Sequence, residues 1–140
     1  MRLHVIARGK IGRSAEYDLC QRYARRIAWP FMLTELPESG GTIPQPITPA
    51  REVLLDERGR QLSSEEFAAL LGTWRDAGIR EARFHLGGAD GHGEAARAQA
   101  DLLLAFGPMT WPHLLARAML IEQLWRATSI LAGHPYHRSG

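Results

Sequence analysis

The chain has 140 residues, 45% of them hydrophobic and 23% charged, and a formal net charge of +2. These values are typical of one soluble globular domain and exclude a disordered or fibrous protein. The single cysteine, Cys20, excludes an internal disulfide, the N-terminus lacks a signal-peptide core, and no apolar run approaches the roughly 20 residues of a membrane span. We therefore expect a cytoplasmic protein.

The N-terminal part of the chain predicts a strand, a helix, a second strand and a loop. Residues 3–7 are an apolar run of strand length, and residues 31–36 are another. Between them, Ser14 is suited to cap a helix whose apolar stripe is Leu19, Tyr23 and Ile27. Residues 37–49 contain four prolines and no hydrophobic period, so we expect a loop there.

The middle of the chain predicts a strand, a turn and a helix. Residues 51–56 form the strand and residues 57–60 the turn that ends it. Ser63 or Ser64 opens the helix, with Glu66 placed for a capping box, and Gly78 closes it. Its buried face is formed by Phe67, Leu70, Leu71 and Trp74.

The C-terminal part predicts two strands and two helices. The strands are residues 82–86 and 102–106, and a short helix over residues 94–99 lies between them. The last helix is predicted to begin around Pro112, with Thr110 as its cap, and to end at Gly133. The whole chain, 1–140, is thus expected to form a single α/β domain, with about five mostly parallel strands and helices on both faces.

Two loops are candidates for ligand binding. Residues 87–91, Gly-Gly-Ala-Asp-Gly, follow a strand, where open α/β folds place ligand loops, although an ordinary tight turn is equally compatible. Their spacing matches no dinucleotide or Walker A fingerprint. The second loop, residues 106–113, precedes a helix N-terminus with free backbone N–H groups. The two loops could share one ligand, whereas His113 and Trp111 taken singly are more typical of core-edge positions.

The last residues carry an unusual density of functional side chains: His134, Tyr136, His137 and Arg138. Histidine and tyrosine suit proton transfer near neutral pH, and arginine suits an anion. The histidines match no zinc pattern, so we expect no metal. The alternative is a tail that folds back onto the core or docks a second subunit.

Four motifs carry a resemblance to a known family: LGGADG at 86–91, TWPH at 110–113, EQLWRA at 122–127 and GHPYHR at 133–138. With them the chain resembles the RlmH family, the ribosomal RNA large subunit methyltransferases H of the SPOUT superfamily. The resemblance covers residues 1–36 and 53–138, and the terminal motif is highly specific.

The resemblance implies a fold with a C-terminal trefoil knot, a rare exception to the unknotted rule, and a homodimer. It also implies S-adenosyl-L-methionine as methyl donor, with S-adenosyl-L-homocysteine as product. Backbone groups of three loops would hold the donor. By position these are Leu55, Gly88, Gly107, Pro108, Met109, Thr110, Trp111 and Pro112.

The implied reaction is methylation of N3 of a pseudouridine, position 1915, in 23S rRNA on the assembled ribosome. As a hypothesis, His113 or His137 assists removal of the N3 proton, Arg138 steadies the uracil anion and Tyr136 orders the pocket. In the family, both subunits of the dimer complete this pocket. Neither a membrane nor DNA is expected as a partner.

RNA contacts are expected from the first helix. All basic residues except Lys10 are arginine, which binds phosphates as a planar fork, although a GC-rich genome also explains this bias. Arg22, Arg25 and Arg26 are the candidate phosphate contacts.

Residues 37–50 depart from the family pattern. The family has a longer segment with an additional helix there, which the prolines of this chain exclude. Either this member has lost the helix or its sequence has been altered. Two alternative functions stay open, and the shortened segment suggests the second of them. One is a SPOUT methyltransferase that acts on another RNA, and the other is a knotted ribosome- or RNA-binding module that no longer methylates.

Overall fold

The computed structural model describes residues 1–87 and 93–137. In chain order the elements are β1 Arg2–Arg8, α1 Ala15–Ala24, β2 Phe31–Leu36, β3 Ala50–Gln61, α2 Ser64–Asp76, β4 Glu81–Leu86, α3 Glu94–Gln99, β5 Leu102–Ala105 and α4 His113–Leu131. The strands pair in parallel in one sheet of order β2-β1-β4-β3-β5. The predicted five-stranded α/β architecture is confirmed.

The apolar core lies between one face of the sheet and three helices. Leu3 and Val5 of β1 and Phe84 of β4 are fully buried there, together with Leu120 and Leu124 of α4. Helix α4 packs against both α1 and α2, so these three helices share one side of the sheet. At about 1.5–3 kcal/mol per large side chain, this burial is the main term that holds the domain together.

The opposite face of the sheet is polar and is covered largely by the proline-rich loop. His4, Glu81 and Arg83 are buried on it. Arg83 donates to the carbonyl oxygen of Pro44 at 2.6 Å, and the backbone N–H of Ile47 donates to Glu81 at 3.1 Å. The loop therefore satisfies buried charges that an apolar helix could not.

Helix α3 covers part of this second face. Helix α2 connects β3 to β4, and α3 connects β4 to β5, and these two connections run in opposite directions along the sheet. Because crossovers between parallel strands are right-handed, α2 and α3 lie on opposite faces of the sheet. Arg97 of α3 pairs with Asp56 of β3 at 3.1 Å. In the part of the chain that the structure describes, no helix is both long and apolar enough to cross a bilayer.

Serine N-caps mark the first residues of two helices, α1 and α2. Ser14 precedes α1 and accepts a hydrogen bond from the N–H of Tyr17 at 3.2 Å. Ser63 precedes α2 and forms the predicted capping box with Glu66. Each cap satisfies backbone donors that the first turn leaves unpaired, and this explains why the helices begin at these residues.

Two predictions about element ends are wrong. Residues 57–60, where a turn was expected, lie inside β3, which continues to Gln61. Leu55 and Arg60 both pair with Leu104 of β5, so the register of β3 against β5 shifts between these two residues. Pairing with β5, which no local pattern reports, continues the strand. Thr110 does not cap α4: Pro112 is at the cap position, and the Thr110 hydroxyl donates to Glu57 instead.

Candidate active site

A cavity of about 530 Å³ opens at the carboxyl ends of β4 and β5, beside the part of β3 where its register with β5 shifts. Parallel strands bring the loops that follow them to one edge of the sheet, which is where α/β folds bind ligands. The cavity walls come from residues 55–58, 86–87, 104–107 and 109–113, with Ala116 of α4. Its volume is in the range of small-molecule and cofactor sites.

The loop between β5 and α4 forms one wall. The indole Nε1 of Trp111 donates to the carbonyl oxygen of Phe106 at 3.2 Å and so spans the loop. Gly107 has φ +104, a conformation that side chains rarely adopt, and a Cβ there would meet no atom within 4 Å. Glycine is therefore required at this turn by its backbone conformation.

Of the seven predicted cofactor residues that the structure describes, six line this cavity. Pro108 is exposed and outside the lining, and Gly88 is outside the described residues, although its neighbour Gly87 lines the cavity. The sequence did not single out Glu57, which receives the Thr110 hydrogen bond. The six that line it are Leu55, Gly107, Met109, Thr110, Trp111 and Pro112.

Apolar side chains are exposed at the cavity. Met109 is 73% exposed and Trp111 is 41% exposed. Large apolar groups at a concave surface with polar neighbours indicate a ligand that covers them. The combination of exposed apolar groups and loop backbone fits a nucleoside-sized cofactor with a hydrophobic portion.

His113 is the first residue of α4 and lies in the cavity wall. One turn later, Arg117 is buried and contacts Glu35 at 2.5 Å. Burial opposes ionisation of Glu35, but hydrogen bonds from Arg117 and the N–H of Ile11 outweigh it, so the pKa of this carboxyl lies below its ordinary value. Sequence reasoning missed this pair. The available signal was an arginine on the buried stripe of α4.

The described part of the tail binds the other half of α4. The ring of Tyr136 stacks on Trp125 with 3.7 Å between centroids, and its hydroxyl donates to Glu122 at 2.9 Å. His137 contacts Arg126 through Nδ1 at 2.9 Å and Glu65 through Nε2 at 2.8 Å. Burial, then the bond to Glu122, raises the pKa of Tyr136, so it is held as the neutral phenol. Arg138 is outside the described residues.

One chain does not bring the tail and the cavity together. His113 and Arg126 are thirteen residues apart on α4, about 20 Å along the helix axis at about 1.5 Å per residue. Tyr136 and His137 lie at the Arg126 end, whereas the cavity lies at the His113 end. Of the predicted catalytic residues in the described chain, only His113 lines the cavity.

The three predicted RNA-binding arginines lie together. Arg22, Arg25 and Arg26 are exposed and line a shallow groove of about 420 Å³ with Tyr17 and other α1 residues. The guanidinium of Arg26 also lies over the Trp125 ring, 4.7 Å from its centroid, on which Tyr136 stacks. The basic groove is therefore continuous with the tail.

The sequence was compared with protein families and with known proteins. The family model described as "Predicted SPOUT methyltransferase" matches residues 1–137. A protein of Novosphingobium aromaticivorans is 71% identical over 141 aligned positions and one of Erythrobacter litoralis is 68% identical over 140, in each case over all of both chains. A Brucella abortus protein is 42% identical over 99% of this chain and all of its own length.

All three relatives bear the name Ribosomal RNA large subunit methyltransferase H. Because the first two align with this chain from end to end, its short middle segment is not peculiar to it. The four motifs, the parallel sheet and these matches agree. The chain therefore belongs to the SPOUT methyltransferase family and, within it, to the ribosomal RNA large subunit methyltransferases H.

Proposed function

We propose that the protein methylates N3 of pseudouridine 1915 in 23S rRNA on the assembled ribosome, with S-adenosylmethionine as methyl donor. The relatives are named as methyltransferases of large-subunit ribosomal RNA, which supports the substrate class. The observation that carries the proposal is the cavity at the strand ends, lined by loop backbone and by exposed Met109 and Trp111.

The residues of this cavity fit the donor. When bound, S-adenosylmethionine supplies an electrophilic methyl group. Backbone groups of residues 107–112, with Leu55 and the loop at Gly87 and Gly88, hold it, and the apolar rim formed by Met109 and Trp111 covers it. Holding the donor and the base in line for attack contributes on the order of 7–11 kcal/mol to lowering the barrier, so positioning is the main task of these loops.

The active unit is a homodimer in which each cavity receives the tail of the other subunit. The support is the distance along α4: within one chain, Tyr136 and His137 lie about 20 Å from His113 along the helix axis. In a two-fold dimer every contact across the interface occurs twice, so an arrangement that brings one tail to the partner's cavity also brings the other tail to the second cavity.

The proposed proton chemistry uses residues from both places. N3 of the base must lose its proton before it attacks, and His113 in the cavity wall or His137 of the tail accepts it. Such a general base contributes typically about 10²–10⁴-fold in rate. Arg138 stabilises the resulting anion, and Tyr136, held neutral by burial and by its bond to Glu122, orders the pocket. Arg22, Arg25 and Arg26 bind phosphates of the rRNA.

Transfer of labelled methyl groups to ribosomes from a strain lacking this modification tests the proposal, followed by mapping of the methylated nucleotide. Free 23S rRNA and tRNA are the comparison substrates, and His113→Ala and Arg138→Ala are the variants. We expect methylation of the ribosome at a single pseudouridine. Preferential methylation of free 23S rRNA or tRNA would favour the alternative of a SPOUT methyltransferase that acts on another RNA. Calorimetric binding of S-adenosylmethionine without methylation of any of these RNAs would contradict the enzymatic proposal.

A further inference from the structure

Arg117 holds a loop far from it in sequence. Its side chain is 1% exposed. Nη1 contacts Oε2 of Glu35 at 2.5 Å, and Nη2 donates to the carbonyl oxygen of Gly9 at 3.0 Å. Burying a guanidinium is costly unless its donors are satisfied, and a side chain needed only for packing would be apolar. The pair therefore has a task beyond filling space.

That task concerns the loop of residues 9–12, which follows β1. The loop is fixed at three points: Gly9 N–H donates to Leu36 O at 2.8 Å, Ile11 N–H donates to Glu35 at 2.9 Å, and Arg117 binds the Gly9 carbonyl. Gly9 has φ +88. Two of these bonds hold Gly9 and one holds Ile11, so the backbone on either side of Lys10 is fixed.

The fixed loop lies against the cavity. A Cβ built on Gly9 would be 4.0 Å from Nε2 of His113, which is in the cavity wall. Lys10 and Arg13 are exposed in and directly after this loop. Lys10 is thus an exposed cation next in sequence to the residue that approaches His113, on a backbone that α4 and β2 hold in place.

We propose that Arg117 is a positioning residue: through Glu35 and Gly9 it holds the 9–12 loop against His113, so that Lys10 binds a backbone phosphate next to the target nucleotide. The proposal rests on the proposed RNA substrate. A lysine binds phosphate as a point charge and needs its backbone placed for it, because its own side chain is flexible. The buried pair supplies that placement.

A double-mutant cycle on Lys10→Ala and Arg117→Met tests the proposal. We expect each single variant to raise the KM for unmodified ribosomes about fivefold, as for loss of one exposed charge contact, with kcat and the Kd for S-adenosylmethionine changed less than about twofold. Because both changes remove the same contact, the double variant should show about a fivefold increase. An increase of about twenty-fivefold would mean independent effects and would overturn the proposal.

The salt dependence of ribosome binding is a second readout, which does not need turnover. Lys10→Ala should lower the slope of log K against log salt concentration by about one unit. Arg80→Ala is the matched control, because Arg80 is exposed at the amino ends of the strands, and its slope should equal that of the wild type. An unchanged slope for Lys10→Ala refutes the phosphate contact, whether or not the ribosome proves to be the methylated substrate.

Arg117→Lys guards against misfolding of the methionine variant. It keeps the buried charge but cannot bind Glu35 and Gly9 with a fork. We expect it to lose less stability than the methionine variant, because an ammonium still pairs with Glu35, and still to show the raised KM. A folded lysine variant with wild-type KM would show that the fork to Glu35 and Gly9 does not place Lys10, and would overturn the proposal.

Discussion

Subunit complementation is the sharpest test of how the tail reaches the cavity. One protomer carries His113→Ala and an intact tail, and the other keeps His113 but ends after Gly133. The separation of about 20 Å along α4 predicts that the tail acts on the partner's cavity. In that heterodimer, one of its two cavities then combines an intact His113 with an intact tail, and the other lacks both.

The expected magnitude follows from counting sites. A purified heterodimer has one complete site of two, or about half of the wild-type activity, and random assembly of equal amounts yields half heterodimers, or about a quarter. Two affinity tags isolate the heterodimer, and methyl transfer to unmodified ribosomes is the assay. Each variant alone, as a homodimer, should be inactive if both His113 and the tail are required.

The matched control places both changes in one protomer and pairs it with a wild-type protomer. If each tail acts in the partner's cavity, this heterodimer has no complete site and should be inactive. If each tail acts in its own cavity, the wild-type protomer keeps a complete site and retains half of the activity. Activity in the control together with inactivity of the first heterodimer would refute the reasoning from α4.

Three further predictions concern stability and RNA binding. Gly59→Ala should lower the free energy of unfolding by about 1–3 kcal/mol in urea titrations, because the added Cβ would lie 2.6 Å from backbone atoms of β5. Gly93 has open space around it, so the control variant Gly93→Ala should change the free energy of unfolding by less than about 1 kcal/mol. Burial lowers the pKa of His4, so below about pH 6.5 the unfolded chain binds a proton that the folded chain does not. The free energy of unfolding should therefore fall as the pH drops from 7.5 to 5.5, by up to about 1.4 kcal/mol per pH unit. The variant His4→Gln should flatten this dependence. An equal pH slope in the variant would disprove that assignment. Arg22→Ala and Arg25→Ala should each lower the salt slope of ribosome binding by about one unit, and an unchanged slope would remove the α1 groove from the interface.

Much of the secondary structure could be predicted because its signals are local. A serine cap acts on an N–H three residues away, and a proline excludes a helix at its own position. Ser63 and Glu66 therefore marked the start of α2, and the prolines of residues 37–49 marked a loop. Where a strand end depends on its partner, as at residues 57–60, the local pattern failed.

The candidate site was predictable in part for a related reason. Parallel strands align their carboxyl ends, so a shared ligand was one interpretation of the loops after β4 and β5, and Gly87 and Trp111 do line one cavity. The family resemblance named Leu55 as a third contributor, and it lines the same cavity. Which tail residues complete the site could not be predicted from local sequence patterns, because it depends on tertiary and subunit contacts.

The sequence by itself determined the order of strands and helices, the glycine turns and the residue types available for chemistry. Only the tertiary structure decided that Arg117 meets Glu35, 82 positions away, that β3 passes close enough to β5 to require Gly59, and that the tail lies at the far end of α4 from His113. The reason is physical: capping and turn preferences act over a few residues, whereas these contacts depend on how the sheet is ordered and how the helices pack on it.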